Sequence, residues 1–414
     1  MLKWWSALPL WQRILPAMFL GILFGWLWPT AGQYVGWMGE VFIRLIRMVV
    51  VPLVFVTVAS GIASLGTSRE LGSIGARALG LFMGLTVLAS CLGIALALAI
   101  QPGRGASLQE LAEQSEIARR TVGEQLLAII PTNPIAALAN GDMLAIIFFA
   151  VVVGAAVLAT GGPAQPVKTL LAAATAVMAR MIAGILELAP FGVFALVATA
   201  VGKSSSLTFV NISLLALCVV CGSLILSLVV HGALIRFVAR LPVKRFFTGA
   251  VDALLIAFST GSSSATLPVA ILVAERNLGM AKSISSTVLP LGASIGRDGT
   301  AMYVGLLAVF SSQAFGIQLE LQDYVTIVLA TSLVALSTAP VPSASLFLLA
   351  AVLSTIGIPD SSTALIVGLV LPFDSLLNMV RTVPNATCNL AVAVTTARFE
   401  NAIDEQVFNH RPTL

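Results

Sequence analysis

Apolar positions fill this chain in runs too long for a water-soluble fold. They cover roughly 12–29, 41–66, 78–101, 142–160, 168–201, 208–235 and 283–311, and two further regions extend over 322–358 and 361–397. Each is near or above the ~20 residues that carry a helix across a bilayer. Backbone amides find no water in lipid, so the pattern predicts helices or protein-buried re-entrant segments. Composition agrees: 58% of the 414 residues are hydrophobic and 10% charged, against about 25% charged in a soluble domain. The expected class is an all-α multi-pass membrane protein.

The first run is too long for a secretory leader, lacks a small-residue cleavage site and is bracketed by tryptophans, so it reads as a retained first helix. Trp4, Trp5 and Trp11 on one side, and Trp26, Trp28 and Trp37 on the other, fit the two interfacial belts of a single span. Basic residues mark alternating ends: Lys3 and Arg13, Arg69 and Arg77, Lys168, the group from Arg236 to Arg245, Arg276 and Lys282, and Arg398. The positive-inside rule then puts both termini in the cytoplasm of an inner-membrane protein, with the polar segment 102–125 outside. The charge of +4 belongs to these loops, and no basic stripe suggests nucleic acid. Cys91, Cys218, Cys221 and Cys388 all fall in apolar runs and read as buried inert thiols, while His231 and His410 are too few and too far apart to suggest a metal site.

The first 240 residues carry few intramembrane charges and read as a scaffold. Beyond them, FSTGSSSATLP (258–268) and LSTAPVPSASL (336–346) each break an apolar stretch with Ser, Thr, Gly and Pro. Each is followed by a charged span: 283–311 with Arg297 and Asp298, then 361–397 with Asp374 and Arg381. Helix breaks survive at membrane depth only inside protein or beside a cavity. A repeated unit of broken segment plus charged helix is the pattern of secondary transporters. In the last span Asp374, Asn378, Arg381, Asn385 and Asn389 recur every three or four residues, so they share one helical face. That face must look into the protein, because an ionisable group in lipid is expensive. Arg381, with its rigid fork of donors, is the expected anchor for a substrate carboxylate.

At these residues the sequence resembles the glutamate transporter family, the dicarboxylate/amino acid:cation symporters. FIRLIRMVVVPLVF (42–55), STGSSSATLPV (259–269), LPLGASIGRDGTAMY (289–303) and RTVPNATCNL (381–390) carry the resemblance over nearly the whole chain. It implies eight transmembrane helices plus two re-entrant helical hairpins in inverted repeats, a homotrimer and an elevator-type transport domain. On that scheme 1–75 holds scaffold helices 1 and 2, and 76–140 the third helix and an external loop. Scaffold helices 4 and 5 and the sixth helix occupy 141–240, the transport core 241–400, and a cytoplasmic tail 401–414. The resemblance gives substrate contacts to Ser262 and Ser263 of the first hairpin, Val341 of the second, Thr300, and Asn378, Arg381, Thr382 and Asn385 of the last helix. It gives cation positions to Gly292, Ser294, Asp298, Thr338, Asp374 and Asn389.

The departures from the family pattern are specific. Gly296-Arg297-Asp298-Gly299-Thr300 stands where sodium-coupled members read Asn-Met-Asp-Gly-Thr, and Asn389 replaces an aspartate. Phe82, Leu85 and Thr86 occupy third-helix cation positions, and Pro340, Ser343 and Ser345 replace glycines of the second hairpin. Asp298 and Asp374 against Arg297 and Arg381 sum to zero charge. Two opposite charges ~4 Å apart attract by about 4 kcal/mol at an effective dielectric of 20, so Arg297 is expected to pair with Asp298 as a built-in cation that weakens the degenerate sodium sites. Asn378 stands where members taking acidic amino acids have an aspartate for the α-amino group, and aspartate, glutamate and four-carbon dicarboxylates all stay open. No cofactor is expected; the coupling ion is sodium or a proton, or the chain exchanges substrate uncoupled. An anion channel is the competing class. Catalysis is not expected, because Ser262, Ser263 and Ser264 have no histidine in their motif.

Overall fold

Glycine, proline and short polar turns decide where the apolar runs break. The computed structural model describes residues 10–28, 30, 32–63, 69–106, 127, 130–203, 207–337, 344–358 and 360–410. Of the expected external loop, 107–125 lies outside them, as do Thr338, Pro340, Val341 and Ser343 of the second polar cluster. Among the described residues the protein is all helix, with one isolated β-bridge between Met280 and Ile403.

In chain order the helices are α1 (Leu10–Leu27), α2 (Gly32–Ala63), α3 (Arg69–Ile100), α4 (Pro134–Asn140) and α5 (Met143–Thr160). Next come α6 (Gln165–Leu186), α7 (Ala189–Lys203), α8 (Leu207–Leu224), α9 (Val243–Thr260) and α10 (Ser263–Arg276). The remainder are α11 (Lys282–Ile295), α12 (Asp298–Ala314), α13 (Leu321–Ser337), α14 (Ala344–Thr355), α15 (Asp360–Phe399) and α16 (Glu405–Asn409). Beyond α8 the chain stays helical to Val238, but two π-helical stretches, Ile225–Val230 and Leu234–Val238, flank the turn His231–Ala233.

Two described stretches, Ile74–Ile100 and Val210–Val238, are long and apolar enough to cross a membrane alone, and a third would join Leu365–Leu371 to Phe373–Phe399 through a 76° bend. The bend falls between Leu371 and Phe373, where the sequence has a proline, which donates no helical hydrogen bond. The expected single span over 283–311 is instead two helices, α11 and α12, that meet at Gly296 and Arg297. Arg297 and Asp298 therefore lie at a helix break. The run 168–201 divides at Glu187 and Leu188, where Arg13 reaches across from α1 to pair with Glu187.

The first polar cluster breaks the chain as expected. Gly261 adopts φ +58°, left-handed backbone that glycine enters without a Cβ penalty, and Ser262 caps α10 by accepting from the Ala265 amide at 3.3 Å. With only those two residues between them, α9 and α10 fold back on each other. The second cluster separates α13 from α14. The expected tail is not free, since Phe408 is buried and the Asp404 amide bonds Gly279 O at 2.8 Å.

Helix α12 is buried along nearly its whole length and needs close neighbours on every side. Gly93 of α3 and Gly222 of α8 provide them: a β-carbon at either would collide with Met302, on its carbonyl or its sulfur. Two apolar clusters result. One collects α2, α5, α7, α12, α14 and the first part of α15, including Val304, Phe310, Ile366 and Leu377. The other collects α9, α10, α11 and the last part of α15, including Phe246, Val288, Leu390 and Val394. Residues 296–300 and 378–387 fall where α12 and α15 pass from one cluster to the other, and the polar side chains gather at that seam.

Candidate functional site

The repeat of three and four on α15 turns one face toward the seam. Asp374, Asn378, Arg381, Asn385 and Asn389 are all buried, none more than 9% exposed. Arg381 is the best held. Its Nη1 donates to Ser345 on α14, its Nη2 lies 3.5 Å from Asp374 Oδ1, and its guanidinium stands 4.4 Å over the Tyr303 ring. Tyr303 donates its hydroxyl to the same Asp374 oxygen at 2.8 Å. Charge, hydrogen bonds and the ring quadrupole thus fix a buried cation, while its Nε and Asp374 Oδ2 have no partner. Both atoms are open to a ligand group or an ordered water.

Neighbouring elements complete the surroundings. The Asn378 amide donates to Gly261 O at 2.8 Å, which ties α15 to the α9–α10 turn. Asn385 Oδ1 accepts from the Gly299 amide at 2.8 Å, and a β-carbon at Gly299 would collide with the Arg381 carbonyl. Thr382 donates to Asn378 O at 2.6 Å, Thr300 is buried at the start of α12, and the buried Ser263 hydroxyl has no partner. Ser262, Ser263, Thr300, Asn378, Arg381, Thr382 and Asn385 thus line adjoining elements. Val341 and Thr338 lie outside the described residues.

The expected pair of Arg297 with Asp298 does not form. Arg297 folds back along α11 and donates Nη2 to Ala293 O at 3.0 Å. Asp298, one residue on and at the first position of α12, points the other way, because the backbone breaks at Arg297 (φ −122°, ψ 42°) before the helix starts. Its Oδ2 lies 3.0 Å from His231 Nε2, and its Oδ1 accepts from Thr86 at 3.2 Å. An ionised carboxylate can only accept, so the imidazole donates. His231, to which the sequence assigned no role, thus stands beside Asp298, and so does Cys388. Ligand atoms of His231, Asp298 and Cys388 lie within 4.8 Å of one another.

Asn389 stands at the other position that the resemblance gives to a cation. Turned so that its amide nitrogen faces acceptors, it would donate to Gly292 O at 3.0 Å and to Asn385 O at 3.3 Å. Phe82 packs beside it, and β-carbons at Gly292 or Gly296 would strike both Phe82 and Asn389. Sodium wants a shell of oxygens; N–H groups aimed at those oxygens are a poor fit to it. Ser294 is exposed and donates to Pro290 O, so its side chain takes no part. Sequence reading missed His231, Cys388 and Tyr303. A lone histidine deep in an apolar run was the available signal.

A family model described as the sodium:dicarboxylate symporter family matches residues 10–399. The proton/sodium-glutamate symport protein of Bacillus subtilis (strain 168) is 32% identical over 401 residues, covering 94% of this chain and 92% of that protein. The protein of the same description from Geobacillus stearothermophilus is 31% identical over 408 residues, 96% and 95% of the two chains. The C4-dicarboxylate transport protein of Rhizobium johnstonii is 32% identical over 406 residues, 95% and 90%. These relatives are transport proteins and not enzymes. A buried arginine between broken helices, and a match that runs along almost the entire sequence, make the chain a member of the sodium:dicarboxylate symporter family.

Proposed function

We propose that this protein is a secondary active transporter of a small acidic substrate, an acidic amino acid or a four-carbon dicarboxylate, in the inner membrane. The observation that carries the reading is Arg381: a buried guanidinium, held by Asp374, Tyr303 and Ser345, with one donor left unpartnered. A substrate carboxylate would take that donor, with Ser262 and Ser263 beside it and Asn378, Thr382, Asn385 and Thr300 around it. The α9–α10 pair and the α13–α14 pair act as the re-entrant hairpins of an elevator. They move with α3, α12 and α15 against a trimeric scaffold of α1, α2 and α5 to α7, with both termini in the cytoplasm.

Sodium coupling is weak in this reading. The carbonyls of Gly292 and Asn385 receive the Asn389 amide, and Asp298 receives His231. Arg297 is not the substitute cation, because its guanidinium goes elsewhere. The drive is then a proton gradient or substrate exchange. Liposomes loaded with unlabelled aspartate or succinate are expected to take up labelled substrate saturably, with no unitary current. Ohmic, non-saturating flux would make the protein a channel.

A further inference from the structure

Arg297 is a buried charge in search of a partner. Only 5% of it is exposed, its one hydrogen bond goes to a backbone carbonyl, its Nε has none, and no carboxylate pairs with it among the described residues. Asp298 is committed to His231 and Thr86, and Asp374 to Tyr303 and Arg381. The 338–343 turn, TAPVPS, contains no acidic residue. Leaving a guanidinium uncompensated in a low-dielectric interior is costly. The cost disappears if the missing anion arrives as ligand.

Arg297 stands two residues before Gly299, where a β-carbon would strike the Arg381 carbonyl, so the two arginines enter one seam. The carboxylates at that seam, Asp298 and Asp374, are already shared. Ala293, whose carbonyl anchors Arg297, also lines a small cavity with Ser263, Thr266 and Asn389, and the Ser263 hydroxyl there is unpartnered. An α-ammonium group would add a third cation. The only side chain at the family's amine position, Asn378, is neutral and spends its N–H on Gly261 O.

On the reading that Arg381 grips an acidic substrate, we infer that Arg297 is a second carboxylate anchor and that this chain selects dicarboxylates without an α-ammonium group. One guanidinium takes each carboxylate, and the ligand supplies the negative charge that the protein omits.

The test is binding to purified protein by calorimetry with three probes: succinate, succinamate with one carboxylate replaced by a neutral amide, and aspartate. Losing one member of a buried charge pair is expected to weaken binding about 100-fold, so wild type should prefer succinate over succinamate by that order, and should prefer it over aspartate because the ammonium adds a third cation with no carboxylate free to meet it. Arg297→Met should erase the preference for succinate over succinamate, and Arg297→Lys should keep most of it. Wild-type protein that binds aspartate as tightly as succinate overturns the inference while leaving the transport reading intact. So does an Arg297→Met variant that keeps the full preference. Should that variant not fold, the wild-type comparison decides alone. Binding of none of the three overturns the transport reading and this inference together.

Discussion

Arg381→Ala is expected to abolish saturable uptake and to weaken substrate binding by at least about 100-fold, the order measured when one partner of a buried, hydrogen-bonded charge pair is truncated. It should also destabilise the protein by about 3–5 kcal/mol, because Asp374 is left as a buried charge without its cation. The two effects are separable. Asp374→Asn added to Arg381→Ala should restore most of the lost stability, as Tyr303 can still donate to the amide oxygen, but none of the binding. Arg381→Lys should fall between, since an ammonium keeps the charge but loses the planar stack on Tyr303 at 4.4 Å. Binding assays and thermal unfolding of the same preparations check this. An alanine variant that binds substrate within tenfold of wild type would remove Arg381 from the site.

His231→Leu is the second large effect. The imidazole is wholly buried and holds Asp298, also wholly buried, at 3.0 Å. Leucine leaves that carboxylate with the Thr86 hydroxyl and the Cys388 thiol but no nitrogen donor, and breaking a buried pair in this way costs about 3–5 kcal/mol. Thermal unfolding in detergent should show a loss of several degrees. His231→Gln, whose amide can still donate, should recover part of it, and Asp298→Asn combined with His231→Leu should recover most. If His231→Leu melts like wild type, the imidazole does not compensate Asp298, and the closed cation position loses its physical basis.

Much of this site could be read before any coordinates. The three-and-four spacing from Asp374 to Asn389 could only turn inward, and all five residues are buried. The Ser/Gly cluster at 258–268 could only be a break, and Gly261 and Ser262 form it. What escaped was pairing across sequence distance. Arg297 and Asp298 are neighbours in the chain, and adjacency suggested an ion pair, yet a helix starting at Asp298 sends the two side chains apart. The partner of Asp298 comes from 67 residues away on a helix with π-helical turns, a local widening that sequence rules do not foresee and that often accompanies functional sites. The span 283–311 read as continuous because α12, buried against Gly93 and Gly222, carries apolar residues on every face rather than on one.

In the proposed reading two cation positions are taken by nitrogen donors: His231 on Asp298 and, in the amide orientation that satisfies its neighbours, Asn389 on the carbonyls of Gly292 and Asn385. The most direct test is substrate affinity of the purified wild-type protein with sodium present and with sodium replaced by choline. These donors predict a change smaller than about tenfold, under about 1.4 kcal/mol of coupling. Tightening by several orders of magnitude on adding sodium would contradict them.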